Sequence, residues 1–412
     1  MDAARKRHAL TFVTITLLID SAGFGIIMPV MPFLLAELMG TGLSEASVWG
    51  GYLLFSYAVL QFFFAPILGA ASDAYGRRPV LLLSLGFYAI NYLLMGFAET
   101  LVLLFVGRIL TGLSSATYAT ANALIVDVSA PDERAQNFGL MGMAFGMGFI
   151  IGPTLGGLLG EWDIRAPFFA AAAFAMVNTI YGWLVLKETL PVENRRPFDW
   201  RRANPVGAFL QIRRYPVLGG LIAAVFLYNL GHHVYPANWS FYTIEKFDWT
   251  PRYVGLSMGF VGILMAIVQG GLIRIVIPKI GAPRAALLGF ASAAMAYIGI
   301  GLAPNGMTVY FWCFVSALSG FVMPSIQTLL AARVPANQQG ELQGVMASVA
   351  SVGAIIGPLL MTQTFAAFTG PDAITYFPGA AFVVAGMLSI LAICVFLANV
   401  RSFAPAPVAG GS

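Results

Sequence analysis

Long apolar segments, each about long enough to cross a bilayer, follow one another along almost the entire chain. A run of about 20 apolar residues crosses the hydrocarbon core as an α-helix. The sequence predicts twelve such spans, numbered 1 to 12 in chain order, at residues 9–36, 47–70, 79–98, 101–126, 135–159, 165–186, 216–241, 252–276, 284–303, 308–332, 340–366 and 375–399. The pattern therefore predicts an all-α membrane protein of twelve transmembrane helices, with lipid as its solvent.

The composition excludes a water-soluble protein. Of the 412 residues, 59% are hydrophobic and only 10% are charged, whereas a soluble domain usually carries about 25% charged residues. The two cysteines lie inside apolar segments, and neither they nor the three histidines have the spacing of a zinc site. We therefore expect no metal, and the sequence shows no nucleophile–base set or phosphate-binding loop that would indicate an enzyme.

The distribution of Lys and Arg predicts the orientation in the membrane, because cytoplasmic loops carry an excess of these residues. An even number of spans puts both ends of the chain on one side. Assigning that side to the cytoplasm collects 18 of the 22 Lys and Arg residues there. Both termini are therefore expected in the cytoplasm. The first apolar run is too long for a signal-peptide core, so span 1 is expected to be retained.

One sequence offset relates the two halves of the chain. Gly152-Pro153 in span 5 recurs as Gly357-Pro358 in span 11, 205 positions later. Glycine allows close helix packing in lipid, and proline kinks a helix. The two pairs are therefore interpreted as packing positions that also serve as hinges.

This repeat of the Gly-Pro pair predicts two duplicated bundles of six helices each. The bundles are expected at residues 1–186 and 216–400, joined by a cytoplasmic linker at 187–215 and followed by a cytoplasmic tail at 401–412. Parallel repeats of this kind place a substrate site near the middle of the membrane, between the halves.

A charged turn is predicted between spans 2 and 3, over residues 69–79. We expect its glycines, Gly69 and Gly76, to let two helices approach and then reverse direction, because glycine tolerates left-handed backbone. Gly281 lies 205 positions after Gly76, in the corresponding turn of the second half. One interpretation of the turn is a basic loop that only fixes the orientation in the membrane.

Two carboxylates accompany this turn. Asp73 lies just before Arg77, and Asp127 ends span 4 on the same predicted side of the membrane. Asp127 is either solvated at the interface or paired with Arg77. The sequence alone favours neither alternative.

Ionisable residues inside the spans are candidates for function, because a charge in lipid costs at least a few kcal/mol. Asp20 lies near the middle of span 1 and Arg108 in the outer half of span 4. Facing each other across the first bundle, they would form either a proton-binding site or a static ion pair. His232 and His233 in span 7 are either proton or substrate contacts or neutral hydrogen-bonded groups.

The charges are not repeated in the second half, where Val225 and Cys313 occupy the positions of Asp20 and Arg108. This asymmetry favours function over packing. Polar and aromatic residues inside the spans predict an aromatic substrate cavity with a few hydrogen-bond partners. The residues are Gln61, Phe64, Asn91, Asn122, Tyr228, Tyr235, Trp239, Gln269 and Gln327. Placement in an interfacial aromatic belt explains some of the aromatic residues equally well.

Several segments resemble the Major Facilitator Superfamily, in particular its twelve-span drug:proton antiporters. The segment 69–78 is similar to the signature between spans 2 and 3, 107–112 to the span 4 signature with a buried arginine, and 148–157 to the span 5 signature of antiporters. The chain resembles the tetracycline efflux group more closely still. The matching segments are 20–32, 77–85, 132–134 and 338–344.

The resemblance implies that Asp20 and Arg108 belong to the transport path, and that Asp73, Arg77 and Asp127 form a cytoplasmic network that stabilises one conformation. It implies a monomer in a bacterial inner membrane that needs no cofactor besides the proton gradient. Its partners would be protons, lipid and a small aromatic or amphipathic substrate, and not nucleic acid.

The chain departs from the tetracycline pumps at two acidic positions. Those pumps carry an aspartate before a tyrosine in span 3, where this chain has Asn91-Tyr92, and an acidic residue in span 9, where residues 284–303 have none. The resemblance therefore specifies the fold and not the substrate. Proton-coupled uptake of a nutrient and a non-transporting receptor or scaffold are the alternatives to export.

Overall fold

A computed structural model describes residues 3–115, 117–130, 132–199, 218–335 and 338–400. The described residues form α-helices joined by short turns, without a β-strand. The predicted tail at 401–412 and most of the predicted linker, from residue 200 onward, lie outside the described residues.

Eight α-helices make up the first half of the chain, and a single 3₁₀ turn, Val192–Asn194, lies in the described part of the linker. The helices are α1 (Ala3–Ile26), α2 (Met31–Met39), α3 (Leu43–Tyr75), α4 (Arg77–Gly96), α5 (Leu101–Leu113), α6 (Thr117–Val128), α7 (Arg134–Trp162) and α8 (Ala166–Val185).

Nine α-helices follow in the described part of the second half. They are α9 (Gly219–His232), α10 (Val234–Phe247), α11 (Pro251–Ile267), α12 (Ile273–Ile280), α13 (Ala282–Leu302), α14 (Gly306–Ala317), α15 (Val322–Ala331), α16 (Gln339–Thr369) and α17 (Ala380–Val400). A π-helical segment, Val268–Leu272, joins α11 to α12, and a 3₁₀ segment, Leu318–Phe321, joins α14 to α15.

The described helices agree with the twelve predicted spans. Eleven helical stretches within the described residues are individually long and apolar enough to cross a membrane. The twelfth, span 7, consists of α9 and α10, which have 14 residues each and meet at His233. The twelve-helix arrangement predicted from the sequence is confirmed.

Corresponding parts of the two halves have the same local geometry. Gly76 and Gly281, 205 positions apart, both adopt positive φ angles, of 108° and 80°, at the turn between two long helices. The break between α1 and α2, at residues 27–30, corresponds by the same offset to the break at His233. Duplicated sequence positions therefore carry duplicated turns and helix breaks.

The outer faces of the helices expose large apolar side chains, which is the pattern expected where lipid is the solvent. Examples are Leu83, Ile90, Val102, Leu184, Ile263, Met295, Phe314 and Met387. Buried apolar side chains form a core inside the first half around Phe12, Leu81 and Leu124, and a larger core that extends through the second half.

The two halves meet at one end of the molecule. The turn from α3 to α4 lies beside residues 186–199, and we call this side of the molecule the linker end. We call the opposite side the far end. Helix α7 packs on α11 and α3 packs on α16. A Cβ atom added to Gly157 of α7 would lie 2.5 Å from the carbonyl oxygen of Pro251 and 2.9 Å from Cα of Gly255, both in α11. These backbones are therefore in direct contact near the far end.

Hydrogen bonds between the halves also lie toward the far end. Among the described residues, Ser44 bonds to the carbonyl of Ala366, Ser240 to that of Met28, and the backbone N–H of Arg252 to Glu161. Toward the linker end, glycines of the same four long helices, and of the π-helical segment that follows α11, have open space where a Cβ would be. They are Gly69, Gly139, Gly142, Gly146, Gly270, Gly271, Gly340 and Gly344. The halves are therefore closed at the far end and apart at the linker end.

Candidate functional site

A small cavity of about 40 Å³ lies between the two halves, where the broken helices meet. Its described lining comes from α1, α2 and the turn between them, α3, α5 and α10. The lining residues are Phe24, Ile27, Met28, Met31, Pro32, Gly50, Leu53, Leu54, Arg108, Pro236, Ala237, Ser240 and Phe241. Arg108 is the one charged residue in this mostly apolar, partly aromatic lining, whose other polar side chain is Ser240.

Arg108 has no protein counter-charge within the described part of the chain. The residue is only 6% exposed, and neither a hydrogen bond nor an ion pair joins it to another described residue. Its Nε atom is buried without a partner. Because buried charges in proteins are normally paired, Arg108 stands out as a group whose partner is not part of the described fold.

Asp20 lies on α1 and faces the interior of the first half. Gly23, one turn further along α1, has the Tyr92 hydroxyl 3.0 Å from the position of an added Cβ. Tyr57 of α3 and Tyr92 of α4 are close enough to both Asp20 and Arg108 to be influenced by both charges. Asp20 therefore faces the same two tyrosines as Arg108, although Asp20 is not itself among the residues that line the cavity.

Of the two alternatives for Asp20 and Arg108, the static ion pair is not formed in this conformation. The ion pairs of the described residues do not include them. Tyr57 and Tyr92 lie near both groups. The carboxyl and the guanidinium therefore belong to one region of the first half without contacting each other.

A second polar cluster forms at the linker end around Arg77. Its Nε donates to Asp127 at 3.0 Å, and its Nη1 donates to the hydroxyl of Ser72 at 3.2 Å and to the carboxylate of Asp73. Arg77 itself is buried. Of the two alternatives for Asp127, pairing with Arg77 is therefore the correct one, and the three residues predicted to form a network are in contact.

Glu188, which the sequence analysis missed, connects the linker to this cluster. Its carboxylate accepts backbone N–H bonds from Arg77 at 2.9 Å and Arg78 at 3.2 Å, at the start of α4, and from Thr189 and Leu190 at 3.0 Å. A helix N-terminus leaves such N–H groups unpaired and favours negative charge. The sequence signal that could have identified Glu188 was its position directly after span 6, on the same predicted side of the membrane as the basic turn.

The structure corrects the prediction for Gly69. The residue lies inside α3, which continues to Tyr75, and an added Cβ would have no neighbour within 4 Å. The turn is therefore confined to Gly76 and is not a loop over residues 69–79. Gly76 has a backbone conformation that side chains rarely adopt, and an added Cβ would collide with the carboxylate of Glu188.

We expect Gly76→Ala to destabilise the protein and Gly69→Ala to leave it equally or more stable. A non-glycine residue at such a φ costs about 1–3 kcal/mol, whereas alanine in an open helix position gains about 0.5–1 kcal/mol. Thermal unfolding of the purified variants in one detergent, followed by intrinsic fluorescence, measures the difference. Equal melting temperatures for the two variants would contradict this assignment of the turn.

The two histidines of span 7 face different neighbours. Nδ1 of His232 lies 2.9 Å from the hydroxyl of Tyr297, and its ring stacks on Tyr228. His233 packs against Gly357 of α16. Both histidines therefore contact helices of the second half, His232 facing α13 and His233 facing α16, which carries the second Gly-Pro pair.

None of the residues predicted to line a substrate cavity belongs to the lining of this cavity. Trp239 is buried and donates from Nε1 to Ser257 at 3.0 Å, and Tyr228 is also buried within the second half. Asn91 donates to the hydroxyl of Thr111. The other predicted residues that lie outside the lining are Gln61, Phe64, Asn122, Tyr235, Gln269 and Gln327. Gln269 and Gln327 are exposed and not part of the core, so their contact with substrate stays a prediction.

The Gly-Pro pairs are packing positions, as predicted. An added Cβ at Gly152 would collide with the backbone of Ala22 in α1, and one at Gly357 would lie 2.6 Å from Cβ of His233. Pro153 and Pro358 lie inside the uninterrupted helices α7 and α16. Their predicted action as hinges stays a prediction.

The sequence is similar to known membrane proteins. A model described as the Major Facilitator Superfamily matches residues 13–358. The chain is 37% identical to the class C tetracycline resistance protein of Escherichia coli over 363 residues, which cover 88% of this chain and 91% of that protein. It is 36% identical to the class G tetracycline resistance protein of Vibrio anguillarum over 355 residues, which cover 85% and 89%.

Solved structures agree with the fold. A bacterial homologue of the human lysosomal transporter Spinster, in an inward-facing and unoccupied conformation, gives a TM-score of 0.80 at 15% identity. The match covers 98% of this chain and 100% of that chain. At this level of identity the similarity concerns the fold alone. Together with the sequence matches, it confirms the resemblance found in the signature segments.

Proposed function

Because the chain belongs to the Major Facilitator Superfamily, we propose that it exports a small aromatic or amphipathic compound in exchange for protons. Members of this superfamily are membrane transporters and not enzymes. We place this multi-pass protein in a bacterial inner membrane with both termini in the cytoplasm. Export is favoured because relatives that match most of the chain are named tetracycline resistance proteins.

The cavity between the halves is the observation that supports transport most directly. It lies beside a buried, unpaired Arg108, and the halves are closed at the far end and apart at the linker end. With the termini in the cytoplasm, this is a conformation that receives substrate from the cytoplasm. Residues 1–186 and 216–400 would then be the two bodies whose rocking opens the far end.

Asp20 is the proposed proton carrier. Its carboxyl lies inside the first half, near Tyr57 and Tyr92 and without an ion-pair partner among the described residues. A carboxyl in such surroundings changes its proton occupancy when water reaches it from one side or the other. We propose the same kind of role for His232, through its bond to Tyr297, and a substrate or proton contact for His233.

The Arg77 network is proposed to stabilise one of the two conformations. Asp73, Arg77 and Asp127 tie the end of α3 and the start of α4 to the end of α6, while Gly76 allows the turn. Gly152, Pro153, Gly357 and Pro358 are proposed to flex as the halves move. A network that holds α3, α4 and α6 together keeps the first half rigid during that movement.

Asp73→Asn is expected to lower the turnover rate several-fold while changing substrate affinity little. The substitution weakens one ion pair, far from the cavity, whose carboxylate is 45% exposed, so its loss costs up to about 1 kcal/mol. Transport rates and binding constants measured on the same reconstituted protein separate the two effects. Glu193→Gln, in the described part of the linker, is the control. An Asp73→Asn variant with unchanged turnover would remove the network from the mechanism.

Susceptibility profiling tests the export proposal. A host that lacks its own pumps, expressing the chain, is expected to tolerate higher concentrations of a subset of aromatic compounds, and an uncoupler is expected to abolish the difference. Tetracycline belongs in the panel because of the relatives. Unchanged susceptibility to every compound, combined with uptake of one of them in oriented vesicles, would favour an importer over the proposed exporter.

A further inference from the structure

The surroundings of Arg108 indicate which charge the substrate carries. It is almost completely buried, its Nε has no partner, and the residue lines the cavity with Phe24, Met28 and Phe241. A guanidinium in such a position is normally neutralised by a carboxylate with which it shares two hydrogen bonds. None of the described residues supplies that carboxylate.

The neighbours of Arg108 do not offset its charge by direct contact. Tyr57 and Tyr92 are neutral phenols near both Arg108 and Asp20. On α4, Asn91 is an uncharged amide whose Oδ1 is itself buried without a partner, close to Gly107 beside Arg108. Asp20 would be the balancing charge, but it makes no ion pair with Arg108. When Asp20 carries a proton, the site holds a net positive charge.

The second half adds no negative charge to the cavity. Its contributions to the lining are Pro236, Ala237, Ser240 and Phe241, all uncharged. Lys246 and Glu245 lie further along α10, toward the far end, and Glu245 accepts a hydrogen bond from Tyr376 there. The described lining therefore combines one cation, two phenylalanine rings and several aliphatic side chains.

We infer that the cavity binds an organic anion, an aromatic carboxylate or a group of equal shape and charge, and that Arg108 forms the ion pair with it. This inference rests on the proposed function and names the substrate class for it. The carboxylate of the ligand accepts hydrogen bonds from the guanidinium. The cavity of about 40 Å³ is too small for an aromatic ring in this conformation, so the side chains of Phe24, Phe241 and Met28 move apart to admit the ring. Burial of the site strengthens that pairing, because the surrounding dielectric is low.

Binding of matched naphthalene probes tests the inference. Equilibrium dialysis of the protein in lipid nanodiscs, with empty nanodiscs as the blank, compares 2-naphthoate with 2-naphthamide, which has nearly the same shape without the charge. The wild type is expected to bind naphthoate about 10- to 100-fold more tightly, the range for a charge-assisted pair. Arg108→Gln is expected to abolish that preference, and Arg108→Lys to retain part of it.

Two results would overturn the inference. One is equal affinity of the wild type for naphthoate and naphthamide, which requires no variant. The other is an unchanged preference for naphthoate in Arg108→Gln that still binds naphthamide, since that binding shows a folded cavity. If Arg108→Gln does not fold, the test is the ratio of naphthoate affinity to naphthamide affinity, measured in the wild type and in Arg108→Lys.

The experiments distinguish failure of the export proposal from failure of the inference about the anion. Resistance conferred only against neutral or cationic compounds would support the export proposal and contradict the inference that the substrate is an anion. Naphthoate preference without any resistance or transport would leave the binding site and remove export.

Discussion

Asp20→Asn is expected to abolish proton-coupled export while the protein is made and inserted normally. Asparagine keeps the size and polarity of the side chain but cannot gain or lose a proton in the relevant range. Asp20 has no ion pair among the described residues, so its replacement breaks no structural contact of that kind. Export driven by an imposed pH gradient in vesicles should fall to the level of vesicles without the protein.

Two variants control this experiment. Asp20→Glu keeps the carboxyl and is expected to retain measurable export. Glu99→Gln removes an exposed carboxyl at the far end, between α4 and α5, and is expected to behave as the wild type. Full export by Asp20→Asn under a pH gradient would exclude Asp20 from proton movement.

Gly157→Leu is expected to hold the far end open and to stop transport. The backbones of Gly157 and Gly255 are in contact where α7 packs on α11. A leucine at this contact overpacks it, at a cost of about 1–3 kcal/mol, which shifts a two-state equilibrium by about 5- to 150-fold. Gly142→Leu, on the same helix but with open space around it, is not expected to disturb the far-end contact.

Spin labels at the far end measure this shift. Phe97 and Leu302 are exposed at the far ends of α4 and α13, one in each half. Both are replaced by cysteine for labelling, in a chain from which Cys313 and Cys394 have been removed. Gly157→Leu is expected to lengthen the distance between the labels, and Gly142→Leu to leave it as in the wild type. A short distance with normal transport in Gly157→Leu would show that the far-end contact is not part of the cycle.

The fold was predictable from the sequence because its signals are local and repeated. Apolar run length alone defined the spans, and the 205-residue offset linked Gly76 to Gly281, which adopt similar backbone conformations. The contact of Arg77 with Asp127 was one of two alternatives. It was decided only by the position of α6 beside α4, which depends on tertiary packing.

The composition of the cavity was not predictable in the same way. Trp239 and Phe241 are two residues apart on one short helix, yet the first is buried against Ser257 and the second lines the cavity. Which side of a span faces the other half depends on helix rotation and on the breaks at residues 27–30 and at His233. In a chain whose helices are apolar all round, no hydrophobic stripe indicates that rotation.

Glu188 was missed for a related reason. Its four backbone partners lie in two stretches of chain, at residues 77–78 and 189–190, that come together only when α8 packs beside α4. A lone glutamate after a span resembles an ordinary interfacial residue until the helix start that it caps is placed next to it.

Proton movement in everted membrane vesicles tests the central claim most directly. Respiration acidifies the vesicle interior, a pH-sensitive dye reports the gradient, and a compound identified by susceptibility profiling is then added. Vesicles containing the wild type should lose part of the gradient on addition of the compound, and vesicles containing Asp20→Asn should not. Equal responses of the two, or export that continues after the gradient is abolished, would contradict coupling of transport to protons through Asp20.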